Sequence, residues 1–224
     1  MLSTLKTCPL FANMTDEDIN DCLLCSGSEV INYNKDESIF YQQDEPKYLY
    51  ILLEGVVDVC SDTVAGKRVI ITSINQKGEI FGEVFLFLNH KNYDNYAIAV
   101  VPSKVLLIPG SYFYHRCAKN CIYHNLLISN MLSILSQKAF YLNRKLQIMS
   151  SSSLRQKIAR VLLQNVKEDG MVELGMNREE LADFLGVARP SLSRELMDMQ
   201  KDGLIRTNRK VIQILDQDEL QQYL

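Results

Sequence analysis

Arg189, Ser191, Ser193 and Arg194 share one side of a short helical pattern whose other side carries Leu192, Leu196 and Met199. The residue types on the polar side suit one chemistry above others. An arginine donates two parallel hydrogen bonds to guanine O6 and N7 in the major groove of duplex DNA, and a serine hydroxyl beside it suits a phosphate or a single base edge. Arg206, Arg209 and Lys210 follow closely in the chain as cations that would rest on phosphates. An ordinary helical hairpin also carries arginines on a solvated face, so the weight falls on the elements that must position them.

Those elements are legible. Asn177 is set to N-cap a helix, with Glu180 three residues on to complete a capping box. Leu181, Ala182 and Leu185 form its inner face, and Gly186 closes it in the left-handed conformation that a C-terminal turn requires. Val187 plugs the turn, and Pro190 falls in the first turn of the second helix, where its missing N–H costs nothing. Gly203 stops that helix, and residues 204–215 read as a short β-hairpin with Asn208, Arg209 and Lys210 at its tip. Helix, tight turn, helix and basic hairpin make a winged helix-turn-helix.

Charge does not advertise nucleic acid. The 224 residues carry 24 Lys and Arg against 27 Asp and Glu, a net charge of −3, and from Ser150 onward there are 11 basic residues against 12 acidic ones. The expectation is therefore that the basic side chains cluster while the acids face elsewhere, giving selective, salt-sensitive binding. No apolar run reaches membrane-spanning length and the first residues lack a signal-peptide pattern, which points to the cytoplasm and to six reduced cysteines.

Residues 1–27 read as a helical lead opened by Thr15 and carrying Ile19, Cys22, Leu23 and Leu24. From Glu29 to Pro109, short β-branched and aromatic runs broken by turns predict an antiparallel sandwich or barrel. The longest helical pattern follows at roughly 123–149. In it Ile128, Leu132, Leu135, Ala139, Leu142, Leu146 and Met149 alternate steps of four and three. A second apolar row, Leu127, Met131, Ile134 and Tyr141, runs beside the first, so one row can pack on the β domain and the other on a partner helix. A parallel homodimer follows, and it would present two recognition helices to a two-fold site in double-stranded DNA.

The order of elements, with Gly55 in LLEGVVDV, the loop from Gly78 to Glu83, the long helix and VARPSLSREL, resembles the cAMP receptor protein/FNR family of bacterial transcription regulators along nearly the whole chain. The fold class expected is α+β. It comprises a double-stranded β-roll of the cyclic-nucleotide-binding kind with its helical lead (1–122), a dimerisation helix (123–149) and a winged helix-turn-helix (150–224). The resemblance places Arg189, Pro190 and Arg194 at base-facing positions. Pro190 stands where the best-known members carry an acid that accepts from cytosine, so a different half-site is implied. It also implies a small-molecule or redox signal, and contact with RNA polymerase if the protein activates.

In members that bind cyclic nucleotides, a Gly-Glu pair holds the ribose and a later Arg-Ser pair neutralises the phosphate. Gly82 and Glu83 match the first pair, whereas Asn95 and Tyr96 stand at the second. Leu142 and Asn143 fall where the adenine-contacting Thr-Ser pair would be. With no cation between Lys91 and Lys104 and with Asp94 present, cAMP is not the expected effector. A roll filled by Phe81, Phe85 and Phe87, with no ligand at all, is the alternative.

Cys22 and Cys25, with Cys8 and Cys60 or Cys117, form a possible iron–sulfur or thiol-redox set. However, the CxxC lies inside a helix, and Cys117 and Cys121 read as ordinary apolar positions. His90, His115 and His124 are too scattered for a haem ligand or a cupin metal site, so no metal or cofactor is expected. No nucleophile elbow, phosphate loop or HExxH motif is present, which argues against an enzyme.

Overall fold

The period-two alternation of residues 29–109 becomes eight strands in two antiparallel sheets. They are β1 (Glu29–Tyr33), β2 (Ser38–Phe40), β3 (Tyr48–Glu54), β4 (Val57–Asp62), β5 (Arg68–Ile74), β6 (Ile80–Phe81), β7 (Tyr96–Ala99) and β8 (Ser103–Pro109). One sheet runs β1-β8-β3-β6 and the other β2-β7-β4-β5. The computed structural model describes every residue except Asn89, 115–121 and 209–210, and the Ile122 side chain. The chain divides into two compact units, Met1–Ser136 and Gln137–Leu224.

In the first unit β3 is buried on both faces, and the alternation sorts its side chains. Leu49, Ile51 and Leu53 join Leu106 and Ile108 of β8 in a core covered by helices. Tyr50 and Leu52 point the other way and meet Val57, Val59, Ala97 and Ala99 of the second sheet, which makes the interior of the roll. The covering helices are α1 (Leu2–Thr7) and α2 (Asp16–Ser26). The latter is started by a capping box between Thr15 and Asp18. Ile19 and Cys22 are buried on α2, whereas Leu24, read from the sequence among its apolar positions, is exposed. Two short helices follow, α3 (Glu83–Phe87) and α4 (Ser111–Tyr114).

Helix α5 (Ile122–Met149) crosses from the first unit into the second. In the first unit Leu127, Met131 and Ile134 are buried against the helical side of the core, as the second apolar row requires. Asn130 Nδ2 donates to the carbonyls of Leu10 and Ala12 at 2.9 Å each and ties the helix to the N-terminal lead. In the second unit Ile148 is buried, while Leu142 and Leu146 are exposed.

That unit continues with α6 (Leu154–Asn165), β9 (Met171–Glu173), α7 (Arg178–Leu185), α8 (Arg189–Lys201), β10 (Ile205–Asn208), β11 (Val211–Ile214) and α9 (Gln217–Gln221). The hairpin β10–β11 gains β9 as a third strand through Val211↔Glu173, Ile212↔Val172 and Gln213↔Met171. The architecture is α+β: a β-rich N-terminal domain, a long helix and a helix-turn-helix with a small sheet as its wing.

Candidate functional site

The start of α7 carries the capping box read from the sequence. Asn177 Oδ1 accepts from the backbone N–H groups of Glu179 (2.8 Å) and Glu180 (3.0 Å), and Glu180 Oε2 accepts from Asn177 N at 2.7 Å. Gly186 closes the helix at φ 67°, and Val187 N donates back to the Ala182 carbonyl at 3.0 Å. This turn aims α8. Leu192, Leu196 and Met199 are buried beneath it, and Arg189, Pro190, Ser191, Ser193 and Arg194 are exposed on the other side.

Two side-chain clamps hold α8 in place. Gln200 Oε1 accepts from Thr207 N (2.9 Å) and Thr207 Oγ1 (3.0 Å), joining α8 to β10. On the opposite flank, Arg155 of α6 donates to Glu195 and Asp202. Lys201 Nζ pairs with Asp198 at 3.0 Å. Three acids of α8 and its C-terminal end are thus engaged by cations, which leaves the arginine row to set the charge of the exposed side. One acid does reach that row, contrary to the expected segregation. Glu179 Oε2 lies 3.3 Å from Arg189 Nη1. Arg206 is exposed on β10, and Arg209 and Lys210 lie outside the described residues.

Sequence reasoning missed Arg178 and Glu179. Arg178 lines a cleft of about 340 Å3 that Arg189 and Ile212 also line, and its Nη1 is buried without a hydrogen-bond partner. Burial alone pulls its guanidinium pKa below the usual arginine value. A side chain at the first position of α7 reads locally as a surface residue, so only the wing's return beside it reveals this environment.

In the first unit Gly82 caps α3 at φ 79°, and a Cβ there would come 2.7 Å from Tyr50 Cδ2. Glu83 beside it is buried. Asn95 holds a buried Oδ1 with no hydrogen-bond partner. Tyr96 is committed elsewhere: its hydroxyl donates to Asp62 Oδ1 and accepts from Arg68 Nε, both at 3.0 Å. Leu142 and Asn143 are exposed on the part of α5 that belongs to the second unit.

The interior of the roll is occupied by rings. Phe40 stacks on Tyr93 with centroids 4.0 Å apart, Tyr50 stacks on Phe81 at 5.1 Å, and Phe85 meets Tyr93 edge-on at 5.3 Å. Tyr93 is fully enclosed, and burial pushes its hydroxyl pKa up to about 12. Phe81 and Phe85 take the filling role read from the sequence. Phe87 does not, because it turns to the helical side and packs on Phe113 at 5.3 Å. Tyr93, Phe40 and Tyr50 take its place.

Cys8, Cys22 and Cys60 are buried and Cys25 is exposed. Among the described residues no group of three His, Cys, Asp or Glu side chains is gathered as for a metal ion. His124 is buried and stacked on Tyr112 at 4.5 Å, and His90 meets Phe85 edge-on at 5.9 Å. His115, Cys117 and Cys121 lie outside the described residues. No helix among the described residues is long and apolar enough to cross a membrane.

Compared with known proteins, residues 30–120 match the cyclic nucleotide-binding domain and residues 156–223 the Crp-like helix-turn-helix domain. A cyclic AMP receptor protein of Thermus thermophilus is 24% identical over 210 residues, covering 94% of each chain. A transcriptional regulator LdrP, also of Thermus thermophilus, is 27% identical over 194 residues, 82% of this chain and 91% of its own. The crystal structure of the Thermus thermophilus catabolite activator protein gives a TM-score of 0.53 at 21% identity, covering 96% of this chain and 97% of that one. DNR from Pseudomonas aeruginosa gives 0.52 at 22%, covering 99% and 96%. At those identities the structural likeness speaks for the fold. A β-roll ahead of a winged helix-turn-helix defines a class of DNA-binding transcription regulators, which are not enzymes. The chain belongs to the Crp/Fnr family of that class.

Proposed function

We propose that the chain is a homodimeric regulator that recognises a two-fold operator in double-stranded DNA. Arg189 and Arg194 read guanines, Ser191 and Ser193 hold phosphates or a base edge, and Arg206, Arg209 and Lys210 of the wing rest on the backbone. Arg178 joins them as a phosphate contact. The observation that carries this reading is the single exposed row from Arg189 to Arg194 on a helix clamped from both flanks. Pro190 in that row supports a half-site of its own. The working division is sensor domain (1–122), dimerisation helix (123–149) and DNA-binding domain (150–224). Ile128, Leu132, Leu135, Ala139, Leu142, Leu146 and Met149 form the seam; all are exposed in the single chain except Ile128 and Leu135, which are half-buried. The protein works in the cytoplasm, beside RNA polymerase if it activates.

The relatives named as cAMP receptors do not carry cAMP to this chain. Tyr96 is spent on Asp62 and Arg68, and rings fill the roll interior. That packing favours a second reading in which the roll is a ligand-free scaffold. Selection from random duplexes tests the main reading. A palindromic site should be enriched, and Arg194→Ala should lower affinity for it by about 10–100-fold while changing random-DNA binding by about threefold at most. Selection without two-fold symmetry, or equal losses on both DNAs, would sink it.

A further inference from the structure

We infer that the second unit holds a small-molecule site of its own, for a compact apolar carboxylate, in the cleft between α5, α6, α7 and the segment that joins β9 to α7. The cleft has a volume of about 190 Å3. That is about six times a water's share of liquid volume and below the range of about 300–1,000 Å3 typical of drug-sized ligands, so it suits a small aromatic or branched acid.

The walls are apolar: Phe140 and Tyr141 of α5, Val161 of α6 and Phe184 of α7. Two cations stand over them. Arg144 donates through Nε to Gln164 Oε1 (3.0 Å) and through Nη2 to the Gln164 carbonyl (2.6 Å), which fixes the guanidinium at the rim. Lys145 Nζ lies 5.5 Å from the centroid of the Phe184 ring, and no carboxylate among the described residues pairs with it. Two positive charges over an aromatic floor, without an acid to neutralise them, complement an organic anion. The apolar body fills the walls and the carboxylate takes a charge-assisted hydrogen bond from Lys145.

The homodimer leaves this cleft open. At about 100° per residue, Phe140, Tyr141, Arg144 and Lys145 lie on the side of α5 roughly opposite Ala139, Leu142 and Leu146. The placement also gives an occupant leverage. Phe184 belongs to the first helix of the helix-turn-helix, two residues before Gly186, where the chain turns to aim α8. A ligand braced between Lys145 and Phe184 fixes α7 against α5, and any effect on DNA affinity must be matched by an equal effect of DNA on ligand affinity. The site stands apart from the DNA-binding reading, but its regulatory meaning rests on it.

Titration calorimetry on the full chain tests the site, with phenylacetate, benzoate and 4-methylpentanoate as probes and phenylacetamide as the uncharged control. At least one acid should bind saturably, once per protomer, with Kd about 1 mM or tighter, and phenylacetamide about tenfold more weakly than phenylacetate. Lys145→Gln, at an exposed position that leaves the fold intact by circular dichroism, should weaken the acid about tenfold, and Lys145→Arg should restore it. The inference is overturned if no acid saturates by about 10 mM. Equal binding of amide and acid, or of Lys145→Gln and the parent, overturns it as well. Acid binding with operator affinity unchanged supports the site and overturns only its coupling to DNA.

Discussion

Arg155 Nε lies 2.6 Å from Glu195 Oε1, and its Nη1 lies 2.7 Å from Asp202 Oδ2, so one guanidinium of α6 grips the middle and the end of the recognition helix. The Tyr223 ring adds a face 5.7 Å from Arg155 Cζ. The Arg155 and Glu195 side chains are only 24% and 25% exposed, which places the pair between a surface bridge and a buried one. Arg155→Ala should therefore cost about 1–3 kcal/mol in urea unfolding, because Glu195 is left without its cation. Arg155→Lys should recover less than half, since one ammonium cannot reproduce the planar fork that spans both carboxylates. A change within about 0.5 kcal/mol for Arg155→Ala would show that the clamp holds nothing.

The contact between Arg189 and Glu179 has the opposite character. Both side chains are more than half exposed, at 60% and 68%, so the pair adds at most about 1 kcal/mol to the fold. Its consequence lies in binding, where a carboxylate on the reading side repels phosphates and competes for Arg189. Glu179→Gln should raise affinity for random DNA by about 2–10-fold at low salt, with less gain as salt rises. If Glu179 also orients Arg189, discrimination at one base should fall in the same variant, and the effect should vanish in an Arg189→Ala background. Additive effects in filter-binding assays would leave Glu179 as a repulsive charge alone.

What was legible in the sequence was local. Asn177 and Glu180 satisfy each other's backbone donors within one turn, so the capping box needs no tertiary information. The second apolar row of α5 was legible in part because a helix repeats on a short period: Leu127, Met131 and Ile134 are buried as that period demands, whereas Tyr141, its last member, is exposed. Contacts set by long-range closure were not legible. β9 is three residues long, and its pairing with β11, some forty residues later, is what brings it into a sheet. Tyr93 sits in a turn-rich stretch that reads as surface, yet it closes over Phe40 once β2 and β7 pair. Phe87 and Phe85 lie two residues apart on a single helical turn and so enter different cores.

Leu142 and Leu146 of α5 are 62% and 68% exposed, an apolar pair four residues apart on the side away from Ile148. A charged substitution there costs little in the isolated chain and much in a packed seam. Leu142→Asp with Leu146→Asp should give a monomer in sedimentation velocity with the parent's circular dichroism and weakened binding to a two-fold operator. A double variant that still sediments as a dimer would place the interface elsewhere.

Cys8 links the N-terminal core to pH. Burial in that core pushes its thiol from the ordinary 9.0 up to about 11, against a smaller lowering by backbone hydrogen bonds at Leu10 and Phe11. The folded state therefore keeps the proton at a pH where the unfolded chain releases it. Between pH 9 and 11 the unfolded state binds fewer protons, so stability is fully present below 9 and declines as pH rises through that window. The full effect is about 2–3 kcal/mol as an order of magnitude, with about 1 kcal/mol lost by pH 10. The buried tyrosines Tyr50, Tyr93 and Tyr112, raised from the ordinary 10.0, and Cys60, raised from 9.0, act in the same direction and add to the loss as pH approaches 10. Urea midpoints at pH 8 and pH 10, measured in the parent and in Cys8→Ala, separate the thiol from these groups: the variant should have both midpoints lowered through lost packing and a smaller, though not vanishing, difference between them. A parent and variant with equal slopes would assign the alkaline loss to other groups.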